Sequence, residues 1–191
     1  NRIGDRRIGE PFQKRPDSDI DRGSGNGGGI TIKARSLTVE DAGIFAGTRS
    51  TGNAGDVNLN VTDALSVLSG GQIQAKSDFA GDGGTIIASA GSILVEGENS
   101  VRIPSLIFAI TQGSGKGGNV SLDTLGALRV SNRGAIVTDT FGSGDGGGIT
   151  IKARSLTVED ALISANTRRT GNAGNVSLDV TEVLSVKSGG E

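Results

Sequence analysis

The 191-residue chain has no cysteine, histidine, methionine, tryptophan or tyrosine, and only 3 prolines and 5 phenylalanines. Without cysteine there are no disulfides, thiolate metal sites or thiol nucleophiles. Without histidine there is no His-dependent triad, no imidazole zinc site and no imidazole general base near neutral pH. An aromatic core is out of reach, so the interior has to be built from small and branched aliphatic side chains in thin repeated layers.

An excess of either charge is also missing. Lys and Arg number 19 against 21 Asp and Glu, for a net charge of −2. That removes the sequence-independent attraction to phosphate on which nucleic-acid binding rests, and attraction to a membrane surface goes with it. No apolar run approaches the ~18 residues of a membrane span, so no membrane insertion is expected. No signal-peptide pattern opens the chain, and any export signal is expected outside this segment.

What the chain has in quantity is glycine, 33 residues, and repetition. Residues 27–42 read GGGITIKARSLTVEDA, and residues 146–161 read the same sixteen letters. The segments 48–71 and 167–190, at the same offset, agree at 17 of 24 positions. Inside this duplication lies a shorter period. Glycine clusters open at Gly25, Gly52, Gly81, Gly115, Gly144 and Gly171, spaced by 27, 29, 34, 29 and 27 residues. A period between 20 and 50 residues is the signature of a solenoid, a propeller or an array.

After each cluster apolar and polar residues alternate, as in Ile30-Thr-Ile32-Lys-Ala34, which is the period of a strand with one buried face. Aligned on the first apolar residue, the units give columns. The first strand supplies Ile30, Val57, Ile86, Val120, Ile149 and Val176, then Ile32, Leu59, Ala88, Leu122, Ile151 and Leu178. The second supplies Leu37, Leu65, Ile93, Leu128, Leu156 and Leu184, then a valine in all six units: Val39, Val67, Val95, Val130, Val158 and Val186. The third supplies Ile44, Ile73, Ile107, Ile136 and Ile163, followed by Ala46, Ala75, Ala109, Thr138 and Ala165.

Columns of one residue type are what a coiled parallel sheet requires, since each coil sets a residue ~4.8 Å from its counterpart in the coil before. The pattern predicts an all-β solenoid, a single-stranded parallel β-helix of about five and a half coils of 27–34 residues, each with three short strands. Propeller blades need four antiparallel strands in ~40–50 residues and usually carry aromatic signatures, neither of which fits. Glycine at the turns is expected to allow positive φ and close approach between coils. The later columns fall 7, 9, 14 and 16 residues after the first in units one and five, but 8, 10, 16 and 18 in units two and four, so the corner loops vary by one residue each. Unit three adds residues from Glu96 to Pro104, expected to bulge from the corner between its second and third strands.

Residues 1–22, rich in both charges and holding two of the three prolines, read as a charged lead-in or partial capping coil with Ile3 and Ile8 as its apolar residues. Residues 23–191 are the repeat region. Its last unit stops at Glu191 short of a third strand, so the chain is expected to be a fragment, because an open coil exposes strand edges and apolar interior.

At these columns and turns, runs such as GNAGNVSLDVTEVLSVKSGG and GSGDGGGITIKARSLTVEDALISANT resemble the repeat regions of filamentous-haemagglutinin-like exoproteins, in particular cyanobacterial-type surface repeats. The resemblance spans residues 23–191. It implies a right-handed β-helix, two-partner secretion through an outer-membrane transporter, an extracellular or cell-surface location, and a role in adhesion or aggregation. The family's secretion domain carries Asn-Pro motifs. Here the prolines follow Glu10, Arg15 and Ile103, so that domain is not expected within this segment, which is expected to correspond to the shaft.

Few residues suggest chemistry. The runs GSGNGGG and GSGDGGG lack the following helix and Lys-Ser/Thr of a phosphate loop, and read as turns. Asp56, Asp82 and Asp145 beside the glycines are compatible with calcium, but a period near 29 lacks the nine-residue spacing of calcium-binding repeats, so they too read as turn residues. The enzyme rival is a pectate-lyase-like polysaccharide-degrading β-helix. Its candidates are Asp78 and Asp139, taken as equivalent positions two coils apart, and Glu96, Glu98 and Arg102 in the unit-three insertion. No catalytic, cofactor or metal site is expected. The candidates for surface binding are Phe45, Phe79, Phe108 and Phe141, since exposed aromatics stack on sugar rings or bury against a partner. Outward Asn58, Asn60 and Thr62 suit either laddering or glycan contact, with solubility the simpler account. The expected partners are an outer-membrane transporter for the full-length protein and glycans or a neighbouring cell surface.

Overall fold

The computed structural model describes residues 24–188, so the lead-in proposed for 1–22 lies outside the described residues. These contain fifteen strands and no helix, hence none long and apolar enough to cross a membrane. Coil one holds β1 (Ile30–Ala34), β2 (Leu37–Glu40) and β3 (Gly43–Phe45). Coil two holds β4 (Val57–Val61), β5 (Ala64–Leu68) and β6 (Gln72–Ser77), and coil three β7 (Ile86–Ala90), β8 (Ser92–Glu96) and β9 (Leu106–Thr111). Coil four holds β10 (Val120–Thr124), β11 (Ala127–Ser131) and β12 (Ala135–Val137). In the last two coils the first two strands run together, as β13 (Ile149–Glu159), followed by β14 (Leu162–Ser164), and as β15 (Val176–Lys187).

Every strand pairing is parallel and joins corresponding strands of neighbouring coils. First and second strands form one ten-stranded sheet, here sheet A, and the third strands a five-stranded sheet B. The chain is a parallel β-helix. The register is the one the columns predict. Val39 pairs with Val67, Val67 with Val95, Val95 with Val130, Val130 with Val158 and Val158 with Val186. Side chains of the middle columns, such as Leu65, Ile93, Leu128, Ile73, Ile107 and Ile136, are fully buried, and the core is one continuous cluster.

The corner between sheets A and B explains the variation between the second and third strands. Asp41, Ser69, Gly97, Asn132 and Asp160 occupy the same place in successive coils, each with positive φ, and each amide donates to the coil above, as Ser69 does to Glu96 O. Coils two and four insert a second left-handed residue, Gly70 and Arg133, which is the extra residue between their second and third strands. Among the described residues positive φ is therefore confined to this corner and, at Arg102, to the insertion that leaves it. None of the glycine-cluster residues adopts it; there glycine is required by crowding. Gly28, Gly55, Gly84, Gly118, Gly147 and Gly174 stack in one column, and a Cβ on any of the last five would strike the carbonyl oxygen of the glycine beneath.

Candidate functional site

The outer face of sheet B carries most of the aromatic and aliphatic candidates, because alternate residues of β3, β6, β9, β12 and β14 point away from the core. In register, Phe45 is followed by Gln74, Phe108, Val137 and Ser164. A parallel row runs Gly43, Gln72, Leu106, Ala135 and Leu162, and on the other side Lys76 is followed by Ile110 and then Asp139. Phe45 is 55% exposed and Leu162 54%, while Leu106, Phe108, Ile110 and Val137 are half-buried. The result is an apolar strip along the helix axis. Phe45 and Phe108 lie on it in one line, separated by one coil.

The insertion of coil three forms one bank of the strip. It does not stand out as a free bulge but folds down across its neighbours. Glu98 and Pro104 form an antiparallel bridge, and Asn99 Oδ1 accepts from the amides of Val101 (3.1 Å) and Ile103 (2.9 Å). Asn99 Nδ2 donates to Asp41 Oδ1 of coil one at 2.8 Å. Ser105 Oγ accepts from Gly70 N (3.1 Å) and donates to Glu96 O (2.6 Å). On the far side Glu98 pairs with Arg133 of coil four at 3.3 Å. The insertion thus straps coils one to four together, and leaves the Arg102 guanidinium exposed at its tip.

The opposite bank is built around Asp139, only 6% exposed. Its Oδ1 accepts from Ser164 Oγ (3.1 Å) and Asn166 N (3.2 Å), and its Oδ2 lies 3.5 Å from Arg168, whose guanidinium stacks 4.6 Å over the Phe141 ring. Between the banks lies an open groove floored by Leu106, Ala135, Val137 and Leu162. Phe141 is thus beside the strip and half-buried. Phe79 is half-buried and one register position further along, level with Gly113 and Gly142.

One expectation is corrected. Asp78 and Asp139 are not equivalent: Thr111 bridges Thr140, and Ser77 pairs with Thr111, so Asp139 stands over Ile110 and Lys76, while Asp78 is two residues further on. The motif Thr138-Asp139 resembles Ser77-Asp78, but Thr138 fills the inward alanine column, which moves its aspartate one strand pair earlier. Each carboxylate is engaged separately, Asp78 with Lys76 at 2.5 Å and Asp139 as above. Glu96 Oε1 accepts from Asn132 Nδ2 at 2.6 Å.

The turn carboxylates hold the coils together. Asp82 Oδ1 accepts from Lys116 N (2.7 Å), Asp145 Oδ1 from Asn172 N (2.9 Å) and Asp56 Oδ1 from Thr85 N (2.7 Å), each in the next coil. Asn26 and Asn53 do the same for Asn53 N and Asp82 N, both at 2.9 Å. Among the described residues no group of three or more acidic side chains is gathered as a metal site. Asn58 and Asn60 stack on Thr31 and Lys33, not on other asparagines, so they form no ladder.

Sequence reasoning missed an interior column of hydroxyls. Thr48, Ser77, Thr111, Thr140 and Thr167 stand in register at the end of sheet B, with Ser77, Thr111 and Thr140 fully buried. Thr111 Oγ1 donates to Gly81 O (3.0 Å) and Thr167 Oγ1 to Asn172 O (2.9 Å), tying the wall to the glycine turns. The signal was present as a hydroxyl residue two places after every member of the alanine column.

No family model, curated protein or solved structure matches the chain. The class is therefore defined by geometry alone: a parallel β-solenoid with one strapped corner and one apolar outer strip.

Proposed function

We propose that the chain is a shaft segment of a secreted, cell-surface adhesin-like protein, akin to filamentous-haemagglutinin-like exoproteins, exported by an outer-membrane transporter and serving adhesion or aggregation. The observation that carries this reading is the uninterrupted register of the valine column through all six coils. A stack rising ~4.8 Å per coil is a stiff spacer about 25–30 Å long. The repeat cadence supports the kinship, and the ion pairs that occupy Asp78, Asp139 and Glu98 support a non-catalytic role. The test is to fuse the chain behind a two-partner secretion domain and its transporter. Export, surface protease accessibility and cell clumping are expected; retention inside the cell or export without clumping counts against the proposal.

A second reading is favoured by the sheet B strip. Its floor is aliphatic and its banks carry paired guanidinium and carboxylate groups, which suits the apolar face and hydroxyl edge of a sugar. On this reading the segment binds a glycan. A glycan array probed with the isolated chain and with Phe108→Ser separates the two: wild-type signal lost in the variant supports binding, and silence leaves the shaft role. A polysaccharide-release assay alongside tests cleavage.

A further inference from the structure

We infer that the ligand of the sheet B groove is an uncharged glycan chain of β-1,4-linked pyranoses, lying with its ring faces on coils three and four. The inference rests on the glycan reading above and names the class of sugar which that reading leaves open. The floor is internal to the stack: coil three contributes Leu106, Phe108 and Ile110, and coil four Ala135 and Val137. In the central row the apolar surface of Phe108 and Val137 ends at Gln74 of coil two on one side and Ser164 of coil five on the other. Only the row of Leu106 and Ala135 runs on, from Gln72 to Leu162.

The polar edge on coil five belongs to the face and not to the wall. Coil one is identical to coil five over residues 27–42 and 146–161 and keeps the inward residues, Ile44 for Ile163 and Ala46 for Ala165. It has Phe45 and Gly47 where coil five has Ser164 and Asn166.

Shape decides the linkage. Neighbouring parallel strands in register keep their paired residues level, so the floor is flat on the scale of a sugar ring. A pyranose chain joined through equatorial bonds is a flat ribbon with apolar C–H faces and hydroxyls along its edges. It can rest on Leu106, Phe108 and Val137 and bring hydroxyls to the amides of Gln72 and Gln74. An α-1,4-linked chain coils, and meets such a floor one ring at a time.

Charge and size exclude the other occupants. The banks carry Glu98, Arg102, Arg133, Asp139, Asp160 and Arg168, three of each sign. Glu98 pairs with Arg133 and Asp139 with Arg168, so no surplus is left to attract a uronate or sulfated chain. The floor is about 10 Å across and about 13 Å along the strands. A stable protein interface buries ~800 Å² on each partner, far more than this floor offers.

Titration of the full chain with cellohexaose, maltohexaose and hexagalacturonate, followed by calorimetry and by methyl chemical shifts, tests this. Cellohexaose is expected to bind and to shift the methyls of Leu106, Ile110 and Val137, but not those of Leu94 on the outer face of sheet A. It should bind roughly tenfold more weakly to Phe108→Ser, an outward substitution that should keep the wild-type circular dichroism. Preference for maltohexaose or hexagalacturonate would overturn the inference and leave the glycan reading standing, as would cellohexaose binding that shifts methyls elsewhere. Binding of none of the three, together with a silent glycan array, removes both.

Discussion

Arg133 takes in coil four the left-handed position that Gly70 takes in coil two, with φ of 70° and 85°. The guanidinium it carries reaches Glu98 of the strap, whereas Gly70 lies beneath the strap itself. The same corner thus has opposite tolerances. A Cβ at Gly70 would sit 2.9 Å from both Asn99 Cβ and Ile103 O.

Gly70→Ala is expected to destabilise the chain by roughly 2 kcal/mol, combining left-handed strain with displacement of the strap. Arg133→Gly is expected to cost less, about 1 kcal/mol, since relief of strain partly offsets a looser unfolded chain and the loss of a half-buried ion pair with Glu98. Urea unfolding of both variants gives the comparison.

The glycine column makes a harsher prediction. In Gly118→Ala the new methyl would meet the Gly84 carbonyl and crowd Ala109, so the two coils have to part. A loss on the order of 3 kcal/mol follows from overpacking at a coil-to-coil contact, read as a fall in denaturation midpoint. Gly25→Ala, with open space around its Cβ, should leave the midpoint unchanged.

Val130 is completely buried in the middle of the valine column. Val130→Asp places an unpaired charge there and should cost more than ~4 kcal/mol, unfolding the array cooperatively because coils are stabilised by their neighbours. Thr157→Asp, on the outward face one coil up, should shift the melting temperature little.

Asp139→Ala removes an acceptor for Ser164 Oγ and Asn166 N and frees Arg168 from its carboxylate. Leaving those donors poorly satisfied should destabilise by about 2 kcal/mol. Amide exchange should quicken at Asn166 before it does in β11.

The coils were legible because parallel stacking sets each residue on its own counterpart, so Val39 to Val186 announce the register by identity alone. The left-handed corner was less legible: Asp41, Ser69, Gly97, Asn132 and Asp160 share a backbone conformation but not a side chain. The strap was visible only as extra length, since the bond from Asn99 to Asp41 spans 58 residues with no local signature. Of the binding candidates, the line from Phe45 to Phe108 followed from alternation. The contact of Phe141 with Arg168 did not, because it joins turns of successive coils.

The most direct test of stacking exploits the absence of native cysteine. Ser66 pairs with Leu94, and Leu94 with Arg129, all on the outer face of sheet A. Neighbouring parallel strands hold paired Cα atoms ~4.8 Å apart, within the span of a disulfide, and two coils ~10 Å apart, beyond it. Oxidised Ser66→Cys/Leu94→Cys should close an internal disulfide without loss of folding, and Ser66→Cys/Arg129→Cys should not. Equal closure in both, or closure only in the second, would contradict the in-register parallel stack.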